Sequence, residues 1–169
     1  MCQKKDGFTL VELIVVIGII GILATLGMSS YANIQERART TKAIADMTDI
    51  KKALLQLQVD TNQLPQHYDP SICTANNETF LNAPTAGLLS TDGNFPNWQG
   101  PYIEPQAVID QWGNPYYYDP DYLCHTNVKG CEDLPNGTGV RAMHTLGRDG
   151  IQGYNSGQDV DNVVMVLCK

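Results

Sequence analysis

Positive charge is scarce in this 169-residue chain. Eleven Lys and Arg residues stand against eighteen Asp and Glu residues, which gives a formal net charge of −7 at pH 7. Nucleic-acid binding depends largely on neutralising phosphates with Lys and Arg, so this balance argues against a general nucleic-acid-binding protein. The length suits one domain with an appended segment and is too short for two large domains.

Recognisable catalytic motifs are also lacking. The three histidines, His67, His125 and His144, stand near no known nucleophile motif in the sequence. The chain contains neither a Gly-x-Ser-x-Gly elbow nor a phosphate-binding glycine loop. The sequence therefore does not indicate an enzyme.

Charge is nearly absent from one segment, residues 8–28, where the single ionisable side chain is Glu12. As a helix this segment spans roughly 30 Å, about the thickness of a bilayer hydrocarbon core. No Pro or cleavage-site pattern stops it after Met28, so it is typical of a retained membrane helix rather than a signal peptide. Because Lys4 and Lys5 precede it closely, the positive-inside tendency places them in the cytoplasm and the remainder of the chain across the membrane.

A second helical pattern follows the apolar segment. Five apolar residues recur at spacings of four, three, four and three, which places them on one helix face: Ala43, Met47, Ile50, Leu54 and Leu57. The pattern predicts one long helix that ends between Asn62 and Pro65, where Asn and Pro disfavour its continuation.

Strand signals come after a region rich in turn formers, residues 65–113. They lie at residues 115–119, 140–146 and 163–167, and an Asn-Gly turn signal precedes the second. The expected fold class is α+β, in which a long N-terminal helix, membrane-embedded in its first half, packs on a small antiparallel sheet.

Cysteine placement fits an exported domain. Cys2 precedes the apolar segment, and the other four cysteines would lie across the membrane in an oxidising compartment. Two disulfides are expected there, with three possible pairings. We expect Cys124 to pair with Cys131 in a short local loop and Cys73 to pair with Cys168. Free or partly buried thiols are the alternative.

The N-terminal motif, residues 7–12, reads Gly-Phe-Thr-Leu-Val-Glu after a short polar stretch. It resembles the processing site of prepilins, the precursors of type IV pili and of related pseudopilins. The resemblance implies cleavage after Gly7 by a prepilin peptidase and N-methylation of Phe8. The expected organisation is a leader at 1–7, a transmembrane and polymerisation half-helix at 8–29 and a periplasmic domain at 30–169.

Glu12 is the residue of this motif that calls for a physical explanation. A lone carboxylate costs about 2.5–3.5 kcal/mol near the membrane centre and less towards an interface. Cleavage would create a partner, because the new α-amine of Phe8 in an incoming subunit could neutralise Glu12 of its neighbour and set the axial register. The alternative is a carboxylate that lies near the headgroups without a role in assembly.

Two motifs in the second half resemble the major pseudopilin of type II secretion systems. Residues 96–103 read Pro-Asn-Trp-Gln-Gly-Pro-Tyr-Ile, and residues 110–116 read Asp-Gln-Trp-Gly-Asn-Pro-Tyr. Gln111 stands where that family usually has Pro. The residues themselves predict a turn at 113–115, with Trp98 and Trp112 as core anchors.

A glycine-rich acidic constellation occupies residues 146–153 and 157–161. It is similar to the calcium-binding loop of major pseudopilins, which implies Ca²⁺ as a cofactor. The implied ligands are the carboxylates and carbonyls of Asp149, Asp159, Asp161, Leu146 (carbonyl) and Ile151 (carbonyl). Such a set suits calcium, which takes about six to eight oxygens, although the spacing is not that of an EF-hand. A solvated acidic turn is the alternative.

These resemblances together imply a major pseudopilin-like subunit that polymerises into a periplasmic filament for type II secretion. The expected partners are further copies of the chain, minor pseudopilins, the inner-membrane assembly platform and the prepilin peptidase. The expected location is the bacterial inner membrane, crossed once, with the globular domain in the periplasm. Two alternatives stay open: a type IV pilin of a surface pilus, and a membrane-tethered binding domain that does not polymerise.

Two features depart from the usual pattern of these families. Typical members carry a Pro about one turn after the apolar segment, where this chain has Gly27, Ser29 and Ser30. Glycine costs about 1 kcal/mol in a helix, so Gly27 offers a similar local loosening. The four cysteines after the apolar segment are also absent from typical members.

Overall fold

Helix α1 (Leu10–Thr61) is the first element of the structure, a computed structural model that describes residues 7–74, 78–126, 128–151 and 162–167. Its C-terminal end lies at Thr61 because Asn62 adopts a left-handed backbone with φ 55° and Pro65 follows. A residue in this conformation is a common helix terminator. The predicted end of the long helix is confirmed.

The chain divides into two units, residues 1–39 and 40–169. In the first unit, the described large apolar side chains of α1 are exposed from Leu10 to Leu23. Among the residues that the structure describes, no helix has the length and apolar character needed to cross a membrane.

The second unit is built around one face of α1. The five side chains that the sequence places on that face are all buried: Ala43, Met47, Ile50, Leu54 and Leu57. Four of them belong to the main core cluster, with Tyr116 and Tyr118 as its largest fully buried side chains. Burial of a Leu or Ile side chain contributes about 1.5–3 kcal/mol, so this face holds the unit together.

Within the described residues, the sheet has four antiparallel strands in the order β1 (Thr79–Phe80), β2 (Tyr117–Leu123), β3 (Gly139–His144) and β4 (Val164–Val166). The α+β fold class is therefore confirmed. Three strands fall near the predicted segments, but β2 starts two residues later and runs further than predicted. The reason is that Pro115 lies opposite Ile109 in an isolated antiparallel bridge, and the Tyr116 N–H donates to the Val108 carbonyl rather than to a neighbouring strand.

The two faces of the sheet bury different clusters, because successive side chains of a strand point to opposite sides. Tyr118, Met143 and Met165 are register partners, and all three belong to the main core. On the opposite face, Val140 and Val166 pack with Cys124 and Cys131 in a second, smaller cluster.

The long connection between α1 and β2 has packing of its own. Leu81, Leu88 and Phe95 are buried in the main core. Gly87 has φ 71°, and a Cβ at this position would approach the Phe95 ring to 2.7 Å, so only glycine fits. Trp98 packs against the core and donates its Nε1–H to the Gly87 carbonyl at 2.7 Å.

Trp98 is thus the core anchor that the sequence predicts, but the same prediction is wrong for Trp112. The Trp112 side chain is half-buried and belongs to neither core cluster of the described residues. Its neighbours Gln111 and Gly113 are exposed, which shows that this part of the turn lies at the surface.

A buried cation fixes the segment that follows the helix. Arg141 on β3 is 3% exposed, and its guanidinium donates to the backbone carbonyls of Asp69, Pro70 and Ile72. Charge-assisted hydrogen bonds are stronger than neutral ones, so one side chain of the sheet holds four consecutive residues of this segment in place.

Two adjacent leucines of α1 test the burial of the helix face. Leu54 is 3% exposed and Leu55 is 52% exposed. We expect Leu54→Ala to lower the free energy of unfolding by about 2–5 kcal/mol, since it leaves a cavity in the core. The matched Leu55→Ala variant should change the free energy of unfolding by less than about 0.5 kcal/mol. Chemical denaturation of both variants measures the difference, and equal losses would show that the helix face is assigned wrongly.

Candidate functional sites at the N-terminus and the C-terminal loop

The N-terminal motif forms a capping box at the start of α1. The Thr9 backbone N–H and hydroxyl both donate to Glu12 Oε2 at 2.8 Å, and the Glu12 backbone N–H donates to Thr9 Oγ1 at 3.3 Å. This reciprocal pattern satisfies donors that a helix N-terminus otherwise leaves free. Sequence reasoning missed this local role, although Thr-x-x-Glu is its recognised signature.

The bond expected to be cleaved lies in an exposed segment ahead of this cap. Gly7 and Phe8 precede the helix, and Phe8 is 85% exposed. The preceding leader residues 1–6 lie outside the described residues. Cleavage after Gly7 and methylation of Phe8 therefore stay predictions.

Thr145 closes the base of the C-terminal loop. It is fully buried, and its backbone N–H donates to the Val163 carbonyl at 3.0 Å. Its hydroxyl oxygen accepts the backbone N–H groups of Val163 at 2.9 Å and of Gly147 at 3.3 Å. The two ends of the loop are thus held side by side, which fixes where the loop leaves the sheet and where it returns.

The first half of the loop contains three of the five predicted calcium ligands, Leu146, Asp149 and Ile151. Asp149 Oδ1 accepts the Ile151 backbone N–H at 2.9 Å, and the turn between them uses glycines at φ 61° and 71°, Gly147 and Gly150. The other two predicted ligands, Asp159 and Asp161, lie outside the described residues. The complete ligand set stays a prediction.

Asn114 connects the second pseudopilin-like motif to this loop. Its Nδ2 donates to the Gly147 carbonyl at 2.8 Å. A Cβ added to Gly150 would lie 3.4 Å from Asn114 Oδ1, so the same amide also lies against Gly150. Sequence reasoning did not find this contact, because the two residues are 33 positions apart and neither pattern points to the other.

The turn that carries Asn114 is itself held by a buried carboxylate. Asp110 is 5% exposed, and its Oδ1 accepts the backbone N–H groups of Trp112 at 2.9 Å and Asn114 at 2.8 Å. The Asp110 N–H donates to the Asn114 carbonyl at 2.7 Å. The neighbouring Gln111 donates its Nε2–H to Asp46 Oδ2 of α1 at 3.1 Å. A Pro at position 111 could not make this bond, since its side chain has no donor.

The disulfide between Cys124 and Cys131 is present, with a Cα–Cα distance of 5.8 Å. It closes the short loop that the sequence predicts. Cys73 is also disulfide-bonded, but Cys168, its predicted partner, lies outside the described residues, so that pairing stays a prediction.

Three carboxylates cluster beside the edge of the sheet, although the sequence analysis does not single them out. The carboxylate oxygens of Glu78, Asp119 and Asp121 lie within 4.8 Å of one another. Burial, together with Asp121 and Glu78, raises the pKa of Asp119 to about 7. Like charges held this close disfavour full ionisation, so the cluster retains a proton where isolated carboxyl groups have lost theirs.

Comparison with known proteins gives two family matches that together cover most of the chain. The model of the prokaryotic N-terminal methylation motif matches residues 2–28, and that of type II secretion system (T2SS) protein G matches residues 30–163.

Three relatives illustrate the similarity, each named type II secretion system core protein G. The protein of Escherichia coli (strain K12) is 36% identical over 116 residues, which cover 68% of this chain and 71% of the relative. The protein of Aeromonas hydrophila is 34% identical over 114 residues, which cover 68% of this chain and 72% of the relative. That of Pseudomonas aeruginosa is 29% identical over 159 residues, with 94% of each chain covered. No solved structure gave a significant match.

A methylation motif, a long N-terminal helix and a small antiparallel sheet define a type IV pilin-like subunit. Within that class, the chain belongs to the type II secretion system protein G family. The resemblance drawn from the N-terminal motif and from residues 96–116 is therefore confirmed.

The carboxylate cluster predicts a specific pH dependence of stability. Because its pKa is raised from 3.8 to about 7, Asp119 holds a proton in the folded state that the unfolded chain releases near pH 4. This bound proton stabilises the folded state, and its contribution to the free energy of unfolding is lost as pH rises through about 7.

The free energy of unfolding of an Asp119→Asn variant should equal that of the wild type below about pH 4. Above about pH 7 the free energy of unfolding of the variant should be the higher of the two. Urea unfolding at several pH values measures the difference between them. Asp133→Asn, which changes an exposed carboxylate on another loop, is the control and should not produce this divergence. A constant difference between Asp119→Asn and wild type across pH would contradict the assignment.

Proposed function

We propose that this chain is a major pseudopilin-type subunit of a filament that drives type II protein secretion. The observation that carries this conclusion is the protein G match over residues 30–163, which follows directly on the methylation motif at 2–28. Residues 30–163 contain the second half of α1, the strands β1, β2 and β3, and the polar turn at 110–114. The function is structural, since a filament subunit acts through assembly rather than through catalysis.

The subunit is made as a precursor that waits in the inner membrane. Residues 1–7 form the leader, residues 8–29 the membrane and polymerisation segment, and residues 30–169 the periplasmic domain. Exposure of Gly7 and Phe8 supports access of a prepilin peptidase to the bond between them. The Cys124–Cys131 disulfide supports an oxidising compartment, because disulfides persist there and are rare in the cytosol.

Glu12 joins successive subunits through the new N-terminus of Phe8. Both bonds from Thr9 go to Glu12 Oε2, and a carboxylate offers about four acceptor positions in all. The capping box therefore leaves capacity for the amine of a neighbouring subunit. Minor pseudopilins and the inner-membrane assembly platform are the further partners that this assembly requires.

Calcium stabilises the C-terminal loop of the periplasmic domain. The carboxylate of Asp149 and the carbonyls of Leu146 and Ile151 would hold it, together with Asp159 and Asp161. An all-oxygen set of this kind fits calcium, whose flexible coordination accepts carboxylates and backbone carbonyls. Bound calcium would supply positive charge that offsets the repulsion between these acidic groups. The closed base at Thr145 supports the fit, because it limits how far the two halves of the loop can separate.

Substitutions at Glu12 separate its role in assembly from its role in capping. Glu12→Gln keeps an oxygen acceptor for Thr9 but removes the charge, whereas Glu12→Ala removes both. We expect both variants to reduce filament formation and exoprotein release by at least about tenfold, since losing one member of a desolvated charge pair costs about 2–5 kcal/mol. Cross-linking of subunits in cells with the secretion machinery, together with assays of secreted protein, measures the effect.

Two variants serve as controls for this experiment. Thr9→Val weakens the cap but keeps the carboxylate, so it should retain most assembly. The second control, Glu36→Gln, removes a carboxylate further along the helix. All variants should reach the membrane in equal amounts. If the Glu12→Gln variant assembles as the wild type does, capping alone explains the role of Glu12. Unchanged activity of Glu12→Ala would favour the non-polymerising tethered domain.

Calcium removal tests the loop. Thermal unfolding of the full-length chain in detergent should show a lower Tm in EGTA than in millimolar calcium, because a ligand that binds only the folded state stabilises it. Magnesium should not replace calcium, since it demands a stricter octahedral geometry. Asp149→Asn should abolish the difference, while Asp133→Asn should keep it. Equal melting curves of the wild type in calcium and EGTA would refute the calcium proposal.

A further inference from the structure

The Asn114 side chain bonds to the C-terminal loop at one end of its tight turn and lies near the other end. It donates to the carbonyl of Gly147, where the turn starts, at 2.8 Å. At the other end, its Oδ1 and Nδ2 would lie 3.4 Å and 3.8 Å from a Cβ placed on Gly150. One amide group therefore holds the backbone at Gly147 by a hydrogen bond and leaves no room for a side chain larger than a methyl group to pass it freely at Gly150.

The proposed calcium ligands of the described residues alternate with these two contact points. Leu146 directly precedes Gly147, Asp149 lies between the two glycines, and Ile151 directly follows Gly150. The direction of each ligand oxygen depends on the backbone that Asn114 holds. None of the predicted ligands is Asn114 itself, so its contribution is one of support.

Asn114 is held firmly enough to give this support. The Asp110 carboxylate accepts two backbone N–H groups of the turn, including that of Asn114, and the Asn114 carbonyl accepts the Asp110 N–H. Gln111 ties the same turn to Asp46 of α1. These bonds fix the backbone of Asn114, so its side chain starts from a defined position when it bonds to the loop, which favours a preformed site.

We propose that Asn114 is a positioning residue of the calcium loop, which holds the 147–150 turn in the shape that presents Leu146, Asp149 and Ile151 to the ion. The inference rests on the proposed calcium function and adds a residue to it that belongs to a different sequence motif. Residues that orient metal ligands without touching the metal commonly change metal affinity by about 10–100-fold when they are replaced. Calcium affinity also depends on the rigidity of the site.

Calcium titration of the full-length chain in detergent tests the proposal. We expect Asn114→Ala to raise the Kd for calcium by about 10–100-fold and to reduce the calcium-dependent rise in Tm. The Tm measured in EGTA should change less than the Tm measured in calcium. Asn136→Ala, which replaces an exposed Asn in another turn, is the matched control and should bind calcium as the wild type does. Isothermal titration calorimetry gives Kd, and thermal unfolding gives both values of Tm.

The outcomes separate this inference from the function on which it rests. Absence of calcium binding by the wild type would refute the calcium proposal, and the role of Asn114 with it. Wild-type binding with an unchanged Kd in Asn114→Ala would overturn only the present inference. A Tm that falls equally in calcium and in EGTA, with Kd unchanged, would show that Asn114 has a structural role alone.

A measurement on the wild-type chain covers the case in which Asn114→Ala does not fold. The Asn114 side-chain amide can be followed by NMR during the calcium titration. We expect its resonance to shift with the same Kd as the backbone amides of residues 147–151, and its hydrogen exchange to slow as the loop tightens. A resonance that stays constant while those backbone amides saturate would overturn the proposal.

Discussion

Burial of one face of α1 against the sheet is the interaction on which the rest of the second unit depends. The Met47, Ile50 and Leu57 side chains are fully buried together with Tyr116, Tyr118 and Met143. Tyr116 belongs to the motif at 110–116, and Met143 is on the strand that leads into the C-terminal loop. Any change in how this face packs would therefore move both the polar turn and the start of the loop.

The polar contacts are arranged around this apolar core in a connected order. Gln111 bonds to Asp46 on the helix, the Asp110 carboxylate organises the turn, and Asn114 reaches Gly147 of the loop. A neutral bond such as that of Asn114 contributes about 0.5–1.5 kcal/mol, and a bond to a carboxylate about 1.5–3 kcal/mol. Their importance lies in position, because they connect three segments that are distant in sequence at defined points.

Local patterns account for what the sequence predicts correctly. The apolar spacing from Ala43 to Leu57 locates the buried helix face, the Asn62–Pro65 signal locates the helix end, and the short separation of Cys124 and Cys131 suggests their disulfide. These features depend on neighbours in the chain. The family resemblance adds the type of filament, which no periodicity contains.

What the sequence does not predict depends on distant contacts or on very short elements. Strand β1 has two residues, too few for an alternating pattern, and exists through its pairing with Tyr117 and Tyr118. Residues 115 and 116 have a strand-like sequence but pair locally, since Pro115 lies opposite Ile109 and the Tyr116 N–H donates to the Val108 carbonyl. The contact of Asn114 with Gly147 and the cluster at Asp119 arise from tertiary folding, as does the half-buried position of Trp112 outside the two core clusters.

Arg141 has a consequence for which substitutions the segment at residues 69–72 tolerates. Its guanidinium binds the carbonyls of Asp69, Pro70 and Ile72, all of which belong to the main chain. Recognition of the backbone imposes almost no requirement on the side chains of that segment, while the five fixed donors of the guanidinium are not reproduced by Lys. Side-chain changes at Pro70 and Ile72 therefore leave their carbonyl acceptors in place, whereas replacing Arg141 removes the donors to all three carbonyls.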